Sequence, residues 1–470
     1  MNTKGSILVN TILFTENTKE NIEKAAEIIR RGGLLGIPTE TVYGLGANAL
    51  NADACRRIYE AKGRPQDNPL IIHVPDASWL SRYCEKVPES AYRLAEAFWP
   101  GPLTMILPKR EIVPYRTTGG LETVGVRCPN HPVTLAVIAA ADVPIAAPSG
   151  NTSGRPSPTS AADMLEDMDG KIDGIFDGGP CGVGVESTII ALPCQPPRLL
   201  RAGGLPLEEL ERVLGIVLVD KCITQLMTDG ERPRAPGMKY RHYAPKAPVT
   251  VVTGPARRSA AYIRDRLPDR AGVICFDEYA PLFAGHIVHR LGAADDKLSQ
   301  AQHVFDALRT FDDTDVPEIY AQCPDESGLG LAVANRLKKA AGFHVVDVSP
   351  LIIGFTGPTG AGKTSALRAL ERLGGLVLDC DAVYHQLLRT DAPLRAAITA
   401  AFGPVFTPDG AMDRQKLGAA VFSDPAALDR LNAIIFDRLP RELLRRVNES
   451  DATMVGIDAI NLVESGLSRL

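Results

Sequence analysis

The chain has 470 residues, of which 45% are hydrophobic and 23% are charged, and its formal net charge is −5. This composition is typical of a globular protein, and the length predicts about three domains. The acidic balance excludes a general electrostatic attraction to nucleic acid, so an RNA contact would need a local basic patch.

Membrane insertion and export are not expected. No apolar run reaches the ~18 residues that a membrane-spanning helix needs, and the apolar patch at the N-terminus is too short and too polar for a signal peptide. The nine cysteines are scattered, without a C-x-x-C pair or a histidine at metal-ligand spacing. We therefore expect a cytoplasmic protein with reduced thiols, rather than a disulfide framework or a zinc site.

Helix and strand signals alternate through residues 1–212. The pattern predicts an α/β domain with a twisted mixed sheet and helices on its faces. Residues 39–46 are expected to form a loop directly after a short buried strand. Helices are predicted at residues 21–31, 53–61, 88–98 and 132–141, and strands at residues 34–38, 70–74, 103–107, 123–127, 173–177 and 182–190.

Residues 213–248 form a linker rich in proline, basic residues and tyrosine. Two interpretations stay open: a spacer between domains, or a strap that lies over a pocket. The strap is the sharper hypothesis, because Tyr240, His242 and Tyr243 are costly side chains to leave in water.

Two further α/β patterns follow the linker. Residues 249–348 predict a small Rossmann-like domain. Gly328 and Gly330 precede a helix there, but the third glycine of a dinucleotide-binding fingerprint is missing, so we expect no such site. Residues 349–470 begin with a strand, a glycine-rich loop and a helix, as in P-loop kinases.

The sequence GPTGAGKT at residues 357–364 is the strongest local signal, because it follows an apolar strand and opens a helix. Lys363 would bridge the β- and γ-phosphates of ATP, and Thr364 would ligate Mg²⁺. Backbone N–H groups would wrap a phosphate at the helix N-terminus; they belong to Gly360, Ala361, Gly362, Lys363 and Thr364.

Two acids lie at the end of the next predicted strand, beside this loop. Asp379 and Asp381 suit a metal-water contact or a base for an attacking hydroxyl. The alternative is a helix N-cap or a solvated turn, and for Asp379 both interpretations stay open.

Residues 38–73 contain a second phosphate-type signal. The stretch PTETVYGLG follows an apolar run, and KGRPQDNPLIIH places Lys62, Arg64, Asn68 and His73 within twelve residues, interrupted by two prolines. A loop with glycine and hydroxyl groups, followed by a rigid cationic loop, is what a polyphosphate or carboxylate pocket needs.

Eight motifs occur in one order through the first 250 residues: PTETVYGLG, KGRPQDNPLIIHV, FWPGPLT, TVGVRCPNH, APSGNTSGRPSPT, GVESTI, LRAGG and PGMKYRHYAPK. Together they resemble the YrdC-like threonylcarbamoyl-AMP synthases. The last motif resembles the long-form members, in which a linker joins a smaller α/β domain. Gly150 stands where alanine is more usual in this family.

The resemblance implies a reaction of L-threonine, bicarbonate and ATP that yields threonylcarbamoyl-AMP and diphosphate, for threonylcarbamoyladenosine modification of tRNA. Such chemistry brings a carboxylate, a carbamate and a triphosphate together, so the pocket must be cationic, with Mg²⁺ accompanying ATP. No protein nucleophile is needed. The partners implied are these three substrates and the tRNA-modifying enzymes that act downstream.

The resemblance also implies roles for individual residues. Lys62, Arg64 and Arg127 would supply the charge for catalysis. L-threonine would be held by Thr41, His73, Arg127, Ala147 and Ser187. ATP would be held by Lys62, Arg64, Asn68, Thr123, Ser149, Asn151, Ser157 and Arg201, with His242 and Tyr243 closing over it from the strap.

Residues 351–470 resemble dephospho-coenzyme A kinase through GPTGAGKT, LDCDAVYHQLL, LDRLNAII and IDAINLVESGL. The resemblance implies ATP-dependent phosphorylation of a ribose hydroxyl, with Asp381 facing the acceptor. Phe436 stands where the family often has histidine. The arginine-bearing lid of such kinases would follow the last motif, so we expect an incomplete kinase domain whose phosphate binding persists and whose catalysis stays open.

Two other functions remain as alternatives. The cations of the first domain could grip double-stranded RNA, or dephospho-coenzyme A kinase activity could be the principal activity. The hydroxyl-rich loop at residues 149–159 argues for the synthase, because an adenylate pocket needs it and RNA backbone binding does not.

Overall fold

A computed structural model describes residues 10–225, 233–238, 243–358, 360–407, 411–421, 424–459, 462 and 467. The chain divides into two compact units, one from the described parts of Met1–Ala256 and Tyr262–Asp347, the other from Arg257–Ala261 and Val348–Leu470. Both mix helices with sheets, which confirms the predicted α/β class. In the described parts of the chain, no helix is both long and apolar enough to cross a membrane.

The first unit opens with an 11-stranded mixed sheet in the order β1-β8-β2-β3-β7-β4-β6-β5-β9-β10-β11. Its strands are β1 (Ile12–Phe14), β2 (Leu35–Ile37), β3 (Gly44–Asn48), β4 (Ile71–His73), β5 (Leu103–Pro108), β6 (Thr123–Arg127), β7 (Ile145–Ala146), β8 (Gly174–Phe176), β9 (Thr188–Ala191), β10 (Arg198–Arg201) and β11 (Leu218–Val219). Its helices are α1 (Lys19–Arg30), α2 (Ala52–Lys62), α3 (Leu80–Tyr83), α4 (Glu89–Phe98), α5 (Pro132–Ala141), α6 (Ala161–Met168) and α7 (Leu207–Leu214).

Helix α2 shows how local sequence sets the position of a site residue. The Asn51 side chain caps its start by accepting from the backbone N–H groups of Asp53 and Ala54. Gly63 ends the helix in the left-handed conformation, with φ of 61°. Lys62 is therefore held in the last turn, next to the cationic loop that follows.

Strand register brings distant motifs to one end of the sheet. The parallel pairing of β4 with β6 sets His73 beside Arg127, and β5 sets Thr104 opposite Arg127 on the other side. Strand β7 runs antiparallel to β4, so Ala147 lies beside the start of β4, and its N–H donates to the Ile71 carbonyl at 2.9 Å. Ser187 precedes β9, which pairs with β5.

Two predicted boundaries were wrong. Residues 44–48, expected to lie mostly in a loop, form β3, paired antiparallel with β2. The glycines hid this strand: a Cβ at Gly46 would lie 2.9 Å from the Ile145 side chain, so the close pairing excludes side chains there. The strand expected at 182–190 begins only at Thr188.

The second part of the first unit is a fully parallel five-stranded sheet in the order β14-β13-β15-β12-β16. Its strands are β12 (Val249–Thr253), β13 (Gly272–Cys275), β14 (Ile287–Arg290), β15 (Ile319–Gln322) and β16 (Val345–Asp347). Its helices are α9 (Lys297–Thr310) and α10 (Gly330–Ala340), with α8 (Ala256–Arg266), of which Arg257–Ala261 are grouped with the second unit. Most residues of α10 are buried, unlike those of a helix that covers only one face of a sheet.

The second unit is a three-stranded parallel sheet in the order β17-β19-β18 with helices around it. Its strands are β17 (Leu351–Phe355), β18 (Leu376–Asp379) and β19 (Met454–Asp458). Its helices are α11 (Lys363–Arg372), α12 (Cys380–Thr390), α13 (Ala392–Phe402), α14 (Arg414–Val421) and α15 (Pro425–Glu449). Strand, glycine-rich loop and helix follow one another as the sequence predicts.

We expect Gly203→Ala to destabilise the first sheet. A Cβ at Gly203 would lie 2.2 Å from the Glu186 carbonyl oxygen and 2.4 Å from the Ser187 carbonyl carbon, and backbone atoms cannot rotate away. The free energy of unfolding should fall by about 1–3 kcal/mol. Urea unfolding followed by tryptophan fluorescence measures this, because both tryptophans of the chain lie in the first 100 residues.

Gly182→Ala is the matched control, since nothing lies within 4 Å of its added Cβ. It should change the unfolding free energy by less than about 0.5 kcal/mol. Equal losses in the two variants would contradict the close-approach argument.

Candidate active site

A cleft of about 690 Å³, counted to its open mouth, lies at the end of the first sheet where β4 and β6 terminate. Ten of the predicted site residues line it: Lys62, Arg64, His73, Arg127, Ala147, Ser149, Asn151, Ser187, Arg201 and Tyr243. Residues from the linker, Pro236 and Gly237, lie on the wall with Tyr243. The linker thus reaches the pocket, as the strap hypothesis requires.

Four other predicted residues do not line the cleft. Thr41 is buried, and its Oγ1 lies 2.9 Å from the Oγ1 of Thr39. Thr39, and not Thr41, lines the cleft. Ser157 lies behind Glu186. Thr123 begins β6, which Arg127 ends, roughly 13 Å away along the strand.

Asn68, the fourth, shapes the cationic loop. Its carbonyl accepts from Arg64 Nε at 3.3 Å, and its buried side-chain oxygen has no hydrogen-bond partner among the described residues. His242 was also predicted to bind ATP, but it lies outside the described residues.

Lys62 is buried, and its Nζ donates to the carbonyl oxygens of Ser149, at 2.6 Å, and of Asn151. Burial and the neighbouring Arg64 hold the pKa of Lys62 well below its ordinary value. The side chain therefore fixes the hydroxyl-rich loop at the wall of the cleft, a contact that the sequence did not predict.

His73 is a neutral group in this site. Its Nδ1 lies 3.3 Å from the Ile145 carbonyl oxygen. Burial, with a further contribution from Arg127, lowers the pKa of His73 to about 3. The imidazole can therefore offer hydrogen bonds at neutral pH, but no charge.

Arg127 and Arg201 are two buried arginines that line the cleft. Arg127 forms an ion pair with Glu40 at 2.8 Å. Arg201 donates from Nε to the Ser187 carbonyl at 2.9 Å and from Nη2 to the Ser187 hydroxyl at 3.0 Å. Burial lowers the pKa of Arg201 to about 10, so it stays charged at neutral pH.

Glu186 is a wall residue that the sequence did not single out. Ser157 Oγ donates to one carboxylate oxygen at 2.7 Å, and Arg336 Nε donates to the other at 2.7 Å. Burial alone would raise the pKa of Glu186, but Arg336 and Arg201 outweigh it and hold that pKa at about 2. The GVESTI motif contains this glutamate, but no sequence signal connects it to Arg336.

The second unit places its phosphate-type loop as the sequence predicts. Lys363 opens α11 and donates to the Gly357 carbonyl at 2.6 Å, within its own loop. Asp379 caps α12, accepting from the N–H groups of Asp381 and Ala382, which is the helix-cap alternative. Asp381 is exposed in the first turn of that helix.

The geometry by itself defines an α/β protein with a buried cationic cleft suited to anionic substrates. Comparison with known proteins narrows this class. Family models match residues 27–203 ("Telomere recombination", the Sua5, YciO and YrdC proteins), residues 205–342 ("Threonylcarbamoyl-AMP synthase, C-terminal domain") and residues 351–470 ("Dephospho-CoA kinase").

Curated relatives of this chain include proteins named threonylcarbamoyl-AMP synthase. The one from Pyrococcus abyssi is 48% identical over 71% of this chain and 98% of its own length. The one from Bacillus subtilis is 46% identical over 69% of this chain and 94% of its own length. A crystal structure of P. abyssi Sua5 with L-threonine is 48% identical, with a TM-score of 0.68 over 72% of this chain and 99% of that one.

The chain therefore belongs to the threonylcarbamoyl-AMP synthase family, and it carries a dephospho-CoA kinase domain after the synthase part. Both resemblances predicted from the sequence are confirmed.

We expect the Glu186 carboxylate to make the free energy of unfolding depend on pH in the acid range. Its folded pKa of about 2 lies below the ordinary 4.5, so between these values the unfolded chain binds a proton that the folded chain does not. The stability that Glu186 contributes is complete above pH 4.5 and is lost as pH falls toward 2. The difference in unfolding free energy between the unsubstituted chain and Glu186→Gln should shrink by up to about 3 kcal/mol over that window.

Urea unfolding at pH 5, 4 and 3, followed by tryptophan fluorescence, measures this difference. Other carboxylates titrate in both proteins and cancel. A difference that stays constant from pH 5 to pH 3 would contradict the assignment of the charge.

Proposed function

We propose that the first unit catalyses threonylcarbamoyl-AMP synthesis. The threonine amine attacks bicarbonate, giving a carbamate and water. A carbamate oxygen then attacks the α-phosphorus of ATP, the bond to the bridging oxygen breaks, and diphosphate leaves. The observation that carries the proposal is the convergence of separate motifs, from Thr39 to Tyr243, on one cationic cleft in a chain of this family.

The side chains of the cleft divide between the two substrates. Arg127, with neutral His73 and the Ser187 hydroxyl nearby, suits the carboxylate and the polar groups of threonine. Arg64, Arg201 and the Ser149 loop suit the triphosphate, because cations and hydroxyls stabilise charge that moves toward the leaving diphosphate. Alignment of the reacting atoms, rather than a protein nucleophile, supplies the rate.

Mg²⁺ fits this site as a companion of ATP. No group of three or more acidic, histidine or cysteine side chains in the described parts of the chain could hold an ion. Glu186, an acid on the cleft wall, has both oxygens hydrogen-bonded. The phosphates would therefore carry the ion, which neutralises their charge during transfer. In the second unit, Thr364 lies in the first turn of α11, where a P-loop holds Mg²⁺.

The product is a mixed anhydride, so an enzyme that transfers its threonylcarbamoyl group to adenosine in tRNA must act next. The nine cysteines are all free, which supports a reducing compartment, and we place the reaction in the cytoplasm. ATP binding at the P-loop of the second unit, with a kinase activity of its own, remains part of the proposal.

The first test is diphosphate release from the full-length chain. We expect release to require ATP, threonine and bicarbonate together, and Arg127→Met to lower it at least about 100-fold, because a buried cation for the substrate is lost. Arg212→Met, which changes a solvated arginine on α7 with 73% of its side chain exposed, should leave the rate unchanged.

Release that does not depend on threonine and bicarbonate would overturn the proposal. Salt-sensitive binding of double-stranded RNA without ATP binding would favour the RNA-binding alternative instead.

A second test separates the two ATP sites. Lys363→Ala should leave threonine-dependent diphosphate release within about twofold of the unsubstituted chain, because that lysine lies in the other unit. Phosphorylation of dephospho-coenzyme A is measured in the same two proteins. Activity in the unsubstituted chain that is lost in Lys363→Ala assigns the kinase reaction to the P-loop of the second unit. Loss of diphosphate release in the variant would contradict the division of labour.

A further inference from the structure

One face of helix α10, in the small α/β domain, contacts residues outside that domain at three places, and two of them, Glu186 and Gly237, line the cleft. Asn335 Nδ2 donates to the Ile223 carbonyl at 2.7 Å, Arg336 Nε donates to Glu186, and Lys339 Nζ donates to the Gly237 carbonyl. Positions three and four apart lie on the same side of a helix, as Lys339 does with Arg336 and Asn335. Arg336 Nη1 also donates to Asn335 Oδ1 at 2.9 Å, so the three side chains form one contact surface. We call it the α10 face.

Arg336 is the centre of the α10 face. Its side chain is fully buried. Through Glu186 it holds the Ser157 hydroxyl of the hydroxyl-rich loop, and its guanidinium lies 5.5 Å from the centre of the Tyr243 ring in the strap. One side chain thus joins two walls of the cleft that come from different parts of the chain.

The charge of Arg336 matters because Glu186 lies on the cleft wall. An uncompensated carboxylate there would repel both the triphosphate and the threonine carboxylate, and burying it alone would be costly. The arginine removes that repulsion without occupying the cleft wall. Its planar fork also allows the contact with the Tyr243 ring, which a lysine ammonium would make less well.

The strap is held from the same helix. Lys339 is buried and binds the carbonyl of Gly237, a wall residue. Tyr243 packs on Phe305 of α9, with ring centres 5.0 Å apart, and the Ala244 N–H donates to the Gly154 carbonyl in the hydroxyl-rich loop at 3.1 Å. Strap, loop and small domain therefore form a continuous set of contacts around the cleft.

We propose that Arg336 is a positioning residue of the synthase reaction: it neutralises Glu186 and keeps the hydroxyl-rich loop and the strap in place for ATP. The small α/β domain is then required for activity, although none of its residues lines the cleft. This inference rests on the proposed synthase function.

The test compares Arg336→Gln with the double variant Glu186→Gln/Arg336→Gln in threonine- and bicarbonate-dependent diphosphate release. The single variant removes the ion-pair partner of the Glu186 carboxylate on the cleft wall, so the KM for ATP should rise at least tenfold, with a smaller change in kcat. The double variant removes both charges and should recover at least part of that loss. Arg264→Gln, an exposed arginine of the same domain with half of its side chain in solvent, is the matched control and should match the unsubstituted chain.

A merely structural role predicts a different result. The double variant would then be at least as impaired as the single one, and that outcome would overturn the proposal. If Arg336→Gln does not fold, Lys339→Met tests the same face: it should raise the KM for ATP several-fold, and an unchanged KM would count against the proposal.

Hydrogen exchange gives a readout that does not need activity. Arg336→Gln should speed exchange at least tenfold at the amides of Gly150, Ser153 and Ala244, which are hydrogen-bonded in the loop and strap, and leave Met105 in β5 unchanged. Exchange rates in Arg336→Gln that are unchanged at all four amides, or raised by the same factor at all four, would overturn the assignment. If the unsubstituted chain releases no threonine-dependent diphosphate, the proposed function fails, and exchange still decides whether Arg336 positions the loop and strap.

Discussion

Glu186 carries a carboxylate in a site that excludes most solvent, and a charge in such a place needs a partner of opposite sign. Arg336, 150 positions later in the chain, supplies that partner, and Ser157 occupies the other oxygen. This pair joins the segment before β9 of the first sheet to helix α10, so it fixes how the small α/β domain packs against the first sheet. The shape of the cleft and the position of the strap both depend on that packing.

The cations of the cleft are held by the backbone before any substrate arrives. Lys62 binds carbonyls of the loop that follows β7, and Arg64 binds the Asn68 and Pro69 carbonyls of its own loop. Such contacts fix the direction of each charge, so little reorganisation is needed when an anion binds. Because of these contacts, Lys62 contributes to the shape of the site, by holding the Ser149 loop, at least as much as to its positive charge.

Local sequence was a good guide where an element had clear boundaries. Helix α2 has an asparagine cap and a terminal glycine, and the prediction for β6 matched its bounds. Prediction failed at β3, where glycines replace the alternating apolar residues of a strand. Helix α6 was missed although Ser160 and Asp163 form a capping box, because its eight residues are too few for a clear helical period.

The sequence by itself determined the α/β class, the order of the motifs and half of the residues that line the cleft, because each motif is a continuous stretch with its own local chemistry. Only the tertiary structure decided which partners these side chains have. Glu186 with Arg336 and Lys62 with the Ser149 loop are set by strand register and by the docking of α10. Contacts between segments far apart in the chain leave no periodic or local signal in a single sequence.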